Sequence, residues 1–375
     1  MRKRFLRPAG IIAAGLAIAL IAGCTTGDDD SAAPDNIPVL AADDRITRGP
    51  SGEASEPASV VEITDADAAA ITEGRYTAAL IWEAQTTFFD TVSKGAIDTF
   101  AEYGIDVIAQ AQYGMDPAEQ KRQVETVMAL NPDIILTIAG DPVLSGEALR
   151  PAVDAGVKIV LLSTQVDGWT AGKEFVGMVT GDQAAMGAAA ADALAAAVAP
   201  DAEIAFLYHD ANFFVTNRRD QMAKTQIVTE HPDLRIVSEQ GFVTPDQAEA
   251  LTAAMLVQNP DLAGLYGAWD AVTQSALSAL NAAGRKDVKV VTMDLSAVSA
   301  VNMVTEGQIV AIISERTYDL GVTMAKEAAL AMIGKSVPPF VVVPAVTVTK
   351  DSIVEDWFEI QHTDPPAEVL EALGK

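Results

Sequence analysis

The stretch that decides the fold begins at residue 77, where residues 77–103 read TAALIWEAQTTFFDTVSKGAIDTFAEY. The unbroken apolar run from Thr77 to Trp82 is typical of a strand buried on both faces. From Phe89 to Tyr103 the apolar residues recur on one face at helical spacing. The stretch therefore predicts one buried strand followed by one amphipathic helix.

The same unit recurs along the chain. Two segments, Asp116-Pro117-Ala118-Glu119 and Thr244-Pro245-Asp246-Gln247, place a capping side chain before proline and an acid or amide, which predicts helix starts. Strands alternating with helices predict an α/β fold with parallel sheets and right-handed crossovers. The folded part, about 300 residues long, exceeds what one core serves, so we expect two lobes. The further apolar runs lie at 134–138, 157–162, 203–208, 264–268 and 288–293.

The first 24 residues have the features of a secretory signal. A charged start, Met1-Arg2-Lys3-Arg4, precedes an apolar stretch from Ile11 to Ile21, which is shorter than the roughly 20 residues that span a bilayer. Ile21-Ala22-Gly23-Cys24 resembles the bacterial lipobox, which implies cleavage after residue 23 and a lipid on Cys24. Because Cys24 is the only cysteine, an intramolecular disulfide is excluded. The alternative is a buried thiol behind an ordinary signal peptide.

Residues 25–73 are rich in Asp, Ser, Ala, Pro, Gly and Thr and contain few large apolar residues. Such a composition buries too little surface to offset the entropy of ordering. We therefore predict a signal peptide over 1–23 and a lipidated cysteine with a flexible acidic tether over 24–74.

The formal net charge is −27, from 25 basic and 52 acidic residues. Nucleic acids and anionic lipid headgroups need clustered Lys or Arg, so both are poor partners for this chain. The charge is otherwise compatible with a solvated surface.

Polar and aromatic side chains follow the predicted strands at their carboxyl ends, where ligands sit in such sheets. The side chains concerned are those of Trp82, Ser163, Trp269, Asp294 and Glu315. A sugar needs this mixture, because its C–H face packs on aromatic rings while its hydroxyls must recover hydrogen bonds. Either tryptophan could instead be core packing, and Asp294 could cap the next helix.

Over about Arg75 to Lys350 the sequence resembles the type I periplasmic binding proteins of the ribose, galactose and allose group. The resemblance implies two doubly wound parallel-sheet lobes joined by a hinge that the chain crosses three times. It rests on Phe88-Phe89, on Asn131-Pro132-Asp133-Ile134-Ile135, on Thr216-Asn217-Arg218-Arg219-Asp220, on Asn259-Pro260-Asp261-Leu262 before Ala268-Trp269-Asp270, and on Val290-Val291-Thr292-Met293-Asp294.

The resemblance also implies roles for single residues. Phe88 and Phe89 match an aromatic pair that packs on sugar, although Phe89 also fits the buried stripe of its helix. Arg219 matches an arginine that grips sugar oxygens, with Arg218 as the alternative, and Asp294 matches an aspartate that accepts from hydroxyls. Trp269 and Glu315 stand where ribose binders have Asn and Gln.

Two departures from the family pattern concern the ligand. Ser163 and Thr164 replace a common Asp-Arg pair, and Trp82 replaces a small polar residue. A hexose, a deoxy or methylated sugar, or a cyclitol would then suit the site better than ribose.

The resemblance implies lobe boundaries as well: 75–181 plus 316–344 for the N-terminal lobe, and 182–315 plus 345–375 for the C-terminal lobe. The chain is expected to cross near Thr180 to Asp182, near Glu315-Arg316 and near Pro344.

The expected function is an extracytoplasmic lipoprotein that is anchored to the cell membrane. It would act as a monomer without cofactor or metal, and would deliver a sugar or polyol to ABC permease subunits. One alternative is a sensor that presents a sugar or autoinducer to a signalling receptor. The other is an exported carbohydrate-active enzyme, which only His209 at a strand end keeps open, because the sequence has no nucleophile elbow or P-loop.

Overall fold

The predicted alternation of strands and helices is confirmed. The computed structural model describes residues 36–305 and 307–374, so the signal peptide and Cys24 lie outside the described residues. None of the helices in the described part of the chain is long and apolar enough to cross a membrane. The strands are β1 (Glu56–Pro57), β2 (Thr77–Trp82), β3 (Asp106–Gln112), β4 (Ile134–Thr137), β5 (Lys158–Leu162), β6 (Met178–Gly181), β7 (Glu203–His209), β8 (Arg235–Phe242), β9 (Leu262–Gly267), β10 (Lys289–Met293), β11 (Ile309–Glu315), β12 (Phe340–Val343) and β13 (Ala345–Val348). The helices are α1 (Asp65–Gly74), α2 (Thr87–Glu102), α3 (Pro117–Met128), α4 (Leu144–Asp154), α5 (Gln183–Ala197), α6 (Phe214–Glu230), α7 (Gln247–Gln258), α8 (Asp270–Ala282), α9 (Ala297–Thr305), α10 (Thr317–Met332), α11 (Ile353–Gln361) and α12 (Ala367–Ala372).

These strands form two sheets. The first has the order β1-β12-β6-β5-β4-β2-β3, and the second has the order β13-β11-β10-β9-β7-β8. The pairings are parallel except that of β11 with β13. Strands β4, β5 and β6 are buried almost throughout, as expected when helices cover both faces. The buried apolar side chains form two clusters, one around each sheet.

The chain passes between the two sheets at three places. It leaves the first sheet after β6 and enters α5, which packs on β10 and β11 of the second sheet. It returns after β11 into α10, which packs on β5 and β6, and it passes once more between β12 and β13. The connecting residues are Asp182, Arg316 and Pro344. The α/β class and the two-sheet, parallel architecture predicted from the sequence are thus confirmed.

Local sequence accounts for one helix start fully and for another in part. The Asp116 carboxylate accepts from the N–H of Ala118 at 2.9 Å, and Pro117 is the first residue of α3, as predicted. Helix α7 begins only at Gln247, and the Thr244 hydroxyl does not cap it. Instead the Gln247 side chain accepts from the N–H of Thr244 at 3.1 Å, which is the other half of a capping box.

The prediction of a flexible tether up to residue 74 is wrong from residue 36 onward. Ile37 is 2 % exposed and belongs to the core of the second sheet, whereas Val61 and Ile71 belong to the core of the first. Residues 65–74 form α1, which Thr64 and Asp67 cap reciprocally. The composition is polar, but a few buried apolar side chains and specific hydrogen bonds order the segment.

Candidate functional site

The candidate residues lie at the carboxyl ends of strands in both sheets. Trp82 and Ser163 lie at the ends of β2 and β5 in the first sheet, and Asp294 and Glu315 at the ends of β10 and β11 in the second. Arg219 comes from α6, which follows β7. Parallel strands bring their carboxyl ends to one edge, so this is where a ligand site is expected.

Arg219 is the centre of a buried ionic cluster. Its Nη2 donates to Glu315 Oε1 at 2.9 Å and its Nη1 to Asp294 Oδ1 at 3.2 Å. The side chains of Arg219 and Glu315 are 5 % and 3 % exposed, whereas that of Asp294 is 41 % exposed. Glu315 is therefore held inside the protein, while the Asp294 carboxylate is accessible to a ligand.

Gln183 connects this cluster to the crossing between the sheets. It is the first residue of α5 and is fully buried. Its Oε1 accepts from Arg219 Nε at 2.5 Å, and its Nε2 donates to Glu315 Oε1 at 2.6 Å and to Thr180 Oγ1 at 3.0 Å. The Thr180 hydroxyl donates in turn to Ser163 Oγ at 3.2 Å. A continuous hydrogen-bonded chain thus runs from Ser163 to Asp294.

Two glycines permit this arrangement. A Cβ on Gly181 would lie 2.6 Å from Glu315 Cγ, and a Cβ on Gly187 in α5 would lie 2.3 Å from the carbonyl oxygen of Arg219. Both distances are far below van der Waals contact. Glu315 can therefore lie against the crossing strand, and α6 can pack closely on α5, only because these positions carry no side chain.

The charges in the cluster perturb one another. Burial alone would lower the pKa of Arg219, but Asp294 and Glu315 together raise it above its usual value. The partial burial of Asp294 raises its pKa, Arg219 lowers it, and the carboxylates of Glu315 and Asp270 raise it further. One cation thus faces two carboxylates. The carboxylate oxygens that Arg219 leaves free can accept hydrogen bonds from the hydroxyls of a ligand.

Asp220 fixes the orientation of α6 beside Arg219. Its Oδ1 accepts from the Tyr266 hydroxyl on β9 at 2.8 Å and its Oδ2 from the N–H of His209 at 2.9 Å. Burial raises the pKa of Asp220 to about 7, against these two hydrogen bonds, which lower it. The helix that carries Arg219 is in this way tied to two strands of the second sheet.

Trp269 packs with Phe242 and His209 in an aromatic group beside the second sheet. Its ring meets Phe242 edge-on at 4.9 Å and His209 at 5.0 Å between centroids. The side chain is only partly buried, so it keeps surface for a ligand. The His209 ring is within 2.8 Å of Thr216 Oγ1, and burial lowers the pKa of this histidine.

The first sheet contributes a second aromatic group. Trp82 stacks on Phe89 at 5.5 Å, and Phe88 meets Phe89 edge-on at 5.2 Å. Trp82 and Phe89 are 3 % and 6 % exposed, and the indole N–H donates to Ser93 Oγ at 2.7 Å. Both rings therefore pack in the core of the lobe, which is the alternative raised for Trp82. Phe88, partly buried, is the ring of this group with surface to offer.

Two alternatives left open by the sequence are now decided. Arg218 donates to the carbonyl oxygens of Asp44 and Ile46, so Arg219 is the arginine of the cluster. Asp294 does not cap α9, because the N–H of Ser299 donates to Ser296 Oγ at 3.1 Å. Asp294 has a left-handed backbone with φ of 66°, and its N–H donates to the carbonyl oxygen of Ile313.

Asp270 does not cap its own helix. It is the first residue of α8, and its carboxylate accepts from Ser296 Oγ at 2.9 Å. Its function in the structure is to tie α8 to the start of α9.

Residues 77–336 match the model of a family described as periplasmic binding protein domain. The chain belongs to the periplasmic binding protein family. Solved structures of similar proteins share the fold over most of their length. A solute-binding protein of an ABC transporter from Agrobacterium vitis, bound with α-D-tagatopyranose, is 23 % identical with a TM-score of 0.67, and the match covers 78 % of this chain and 99 % of that one. A periplasmic ribose ABC transporter protein from Conexibacter woesei is 18 % identical with a TM-score of 0.68, over 76 % and 97 % of the two chains.

A third structure, from Actinobacillus succinogenes 130z, is a periplasmic solute-binding protein with bound D-allose. It is 26 % identical with a TM-score of 0.62, and the match covers 74 % of this chain and 98 % of that one. The family match begins at residue 77, whereas the described chain of this periplasmic binding protein begins at residue 36. Residues 36–76 therefore form an N-terminal segment that precedes the match.

Two residues of the cluster, Gln183 and Thr180, were not predicted from the sequence as site residues. A signal existed for both, since the chain was expected to cross near Thr180 to Asp182. A polar residue next to a crossing is close to both lobes.

Proposed function

We propose that this protein is an extracytoplasmic solute-binding lipoprotein that captures a sugar or sugar-like polyol between two lobes and delivers it to an ABC importer. The lobes are residues 75–181 with 316–344 and residues 182–315 with 345–375. Closure about the three crossings would bury the ligand.

The observation that carries this proposal is the cluster of Arg219, Asp294 and Glu315. Glu315 and Gln183 hold the guanidinium in place before a ligand arrives, and the Asp294 carboxylate stays accessible. A preorganised cation beside an accessible carboxylate can donate to a ring or hydroxyl oxygen and accept from a neighbouring hydroxyl. That combination suits a polyol better than a simple anion, which Asp294 would repel.

Two rings supply the apolar surface that the C–H face of a sugar needs. Trp269 lies at the end of β9 in the second lobe, and Phe88 lies at the start of α2 in the first, supported by Phe89 and Trp82. We propose eight residues as the ligand-binding residues, namely Trp82, Phe88, Phe89, Ser163, Arg219, Trp269, Asp294 and Glu315. The sugars bound by the similar structures, α-D-tagatopyranose and D-allose among them, support this class of ligand.

The lipid anchor at Cys24 and the location outside the cytoplasm rest on the sequence and on family membership. The partner would be the permease subunits of the importer.

A thermal-shift screen of the mature chain tests the ligand class. The panel is D-ribose, D-allose, D-tagatose, D-arabinose, 5-methylthioribose and a cyclitol. Binding to the native state alone adds roughly 2.7 kcal/mol at a ligand concentration of 100 Kd. We expect at least one sugar to raise the melting temperature of the wild type and of Asp287→Ala, a control at an Asp paired with Arg285 on the surface.

No shift with any member of the panel would contradict the ligand class. Turnover of glycosides by the purified chain would favour the enzyme alternative instead.

A further inference from the structure

Residues 36–57, which we call the strap, precede the family match and reach both sheets. At its beginning the strap is bound to the second sheet. The N–H groups of Asn36 and Ile37 both donate to Glu239 Oε2 at 2.9 Å, and that of Leu40 donates to Thr225 Oγ1 at 2.8 Å. Glu239 is itself held by a buried ion pair with Lys224 at 2.7 Å.

The end of the strap is bound to the first sheet. Arg48 and Ala54 form a β-bridge within the strap. Glu56–Pro57 forms β1, which pairs with β12 at the edge of the first sheet. Gln165 Nε2 also donates to Ser51 Oγ at 3.3 Å. The strap is therefore a fourth connection between the two sheets, in addition to the three crossings.

Midway, the strap contacts the first crossing directly. Thr47 is 2 % exposed, and its hydroxyl donates to Asp182 Oδ1 at 2.5 Å while accepting from the N–H of Ala184 at 2.9 Å. Asp182 Oδ1 also accepts from the N–H of Ala185 at 3.1 Å. The first N–H groups of a helix have no partner within the helix. Thr47 and Asp182 together satisfy two of them at the start of α5.

Gln183 lies in the chain between Asp182 and Ala184, the two residues that Thr47 contacts. Its side chain is hydrogen-bonded to both Arg219 and Glu315. We propose that Thr47 is a positioning residue for ligand binding, which acts through Asp182 and Gln183 on the Arg219 cluster. The strap thereby becomes part of the binding machinery. The effect of Thr47 on affinity rests on the proposed function. Its effect on the first crossing does not depend on any ligand.

The physical argument is preorganisation. A binding site whose donors and acceptors are fixed before the ligand arrives loses less entropy on binding. Removing the Thr47 hydroxyl leaves the N–H of Ala184 without its acceptor and takes from Asp182 Oδ1 one of its two hydrogen bonds, at the point where the chain changes lobe. Gln183 then samples more positions, and the guanidinium of Arg219 follows.

The first experiment compares Thr47→Val, which keeps the shape but loses the hydroxyl, with Thr47→Ser, which keeps the hydroxyl. Asp43→Ala, at an exposed position of the strap, is the matched control. With the sugar that the thermal-shift panel selects, we expect Thr47→Val to raise Kd about fivefold, the effect of one lost hydrogen bond. Thr47→Ser and Asp43→Ala should bind like the wild type.

The second experiment needs no ligand. Spin labels are attached to cysteines at Glu125 on α3 and Ser278 on α8, both exposed, in a Cys24→Ser chain. We expect the distance distribution between the labels to be broader in Thr47→Val than in the Thr47 parent or in Thr47→Ser. A merely local loss of stability would lower the melting temperature without changing this distribution.

The outcomes separate the two proposals. If the wild type binds a sugar and Thr47→Val binds it equally well with an unchanged distribution, the inference about the strap is wrong and the proposed function stands. If no sugar binds, the ligand class is wrong, and the distribution alone decides whether the strap controls the crossing. An unchanged distribution overturns the inference in that case also.

Discussion

Truncating the accessible Asp294 should weaken ligand binding at little cost in stability. Truncating the buried Glu315 should destabilise the fold. Both carboxylates accept from Arg219, at 3.2 and 2.9 Å. Only Asp294 is accessible, with its side chain 41 % exposed against 3 % for Glu315. We therefore compare Asp294→Ala with Glu315→Ala.

The expected magnitudes follow from these contacts. Asp294→Ala leaves the pair of Arg219 and Glu315 intact and relieves the repulsion between two carboxylates. Its cost in the free energy of unfolding should be below about 1 kcal/mol, as for partly exposed ion pairs. Its cost in binding should be about 1.5 to 3 kcal/mol, or roughly 10- to 150-fold in Kd, because a ligand hydroxyl loses a charged acceptor.

Glu315→Ala should cost far more stability than Asp294→Ala. It removes the buried partner of Arg219 and the acceptor of the Gln183 amide. Breaking a buried ion pair costs about 3 to 5 kcal/mol of stability. Chemical denaturation gives the free energy of unfolding, and calorimetry with the selected sugar gives the affinity, with Asp287→Ala as the control for a surface pair. Equal losses of stability in the two variants, or wild-type affinity in Asp294→Ala, would refute this division of roles.

Three further predictions concern other parts of the chain. Glu327 is fully buried on α10, its two carboxylate oxygens have no hydrogen-bond partner among the described residues, and burial raises its pKa well above the usual 4.5. Because the folded state keeps this proton, the free energy of unfolding should fall as pH rises from 4.5 towards the raised pKa. Glu327→Met should remove that part of the pH dependence and add about 1 to 3 kcal/mol at neutral pH, and a denaturation series without either change would count against the buried acid. Cys24→Ser should release the folded protein from the membrane fraction, and retention of the variant there together with absence of lipid on wild-type Cys24 would exclude the anchor. Trp269→Ala should weaken all sugars that share a C–H face to a similar extent, as calorimetry with two such sugars can check, whereas a loss confined to one of them would contradict a stacking role.

The sequence predicted the elements that hydrophobic burial controls. Continuous apolar runs identified the central strands because those strands are buried on both faces. Since the carboxyl ends of parallel strands meet at one edge, it also predicted that Asp294 and Glu315 would lie near each other. Arg219 came from the family resemblance, because a buried arginine within a helix has no sequence pattern of its own.

Other features depend on hydrogen bonds that composition does not reveal. The strap has the composition of a tether, yet Glu239 and Thr225, roughly two hundred residues away in sequence, bind its backbone. No sequence pattern marks Ser93 as the acceptor for the indole of Trp82. Asp294 was a possible cap for α9 from the sequence, and only the geometry shows that the Ser296 hydroxyl has this role.

The central claim is that a ligand binds at the Arg219 cluster and closes the two lobes upon it. Small-angle scattering of the mature chain, with and without a saturating concentration of the sugar selected by the thermal-shift panel, tests it most directly. The account predicts a smaller radius of gyration with the sugar at unchanged molecular mass. At a sugar concentration near the wild-type Kd, Asp294→Ala should show little of the decrease that the wild type shows. An identical radius of gyration for the wild type with and without the bound sugar would contradict it.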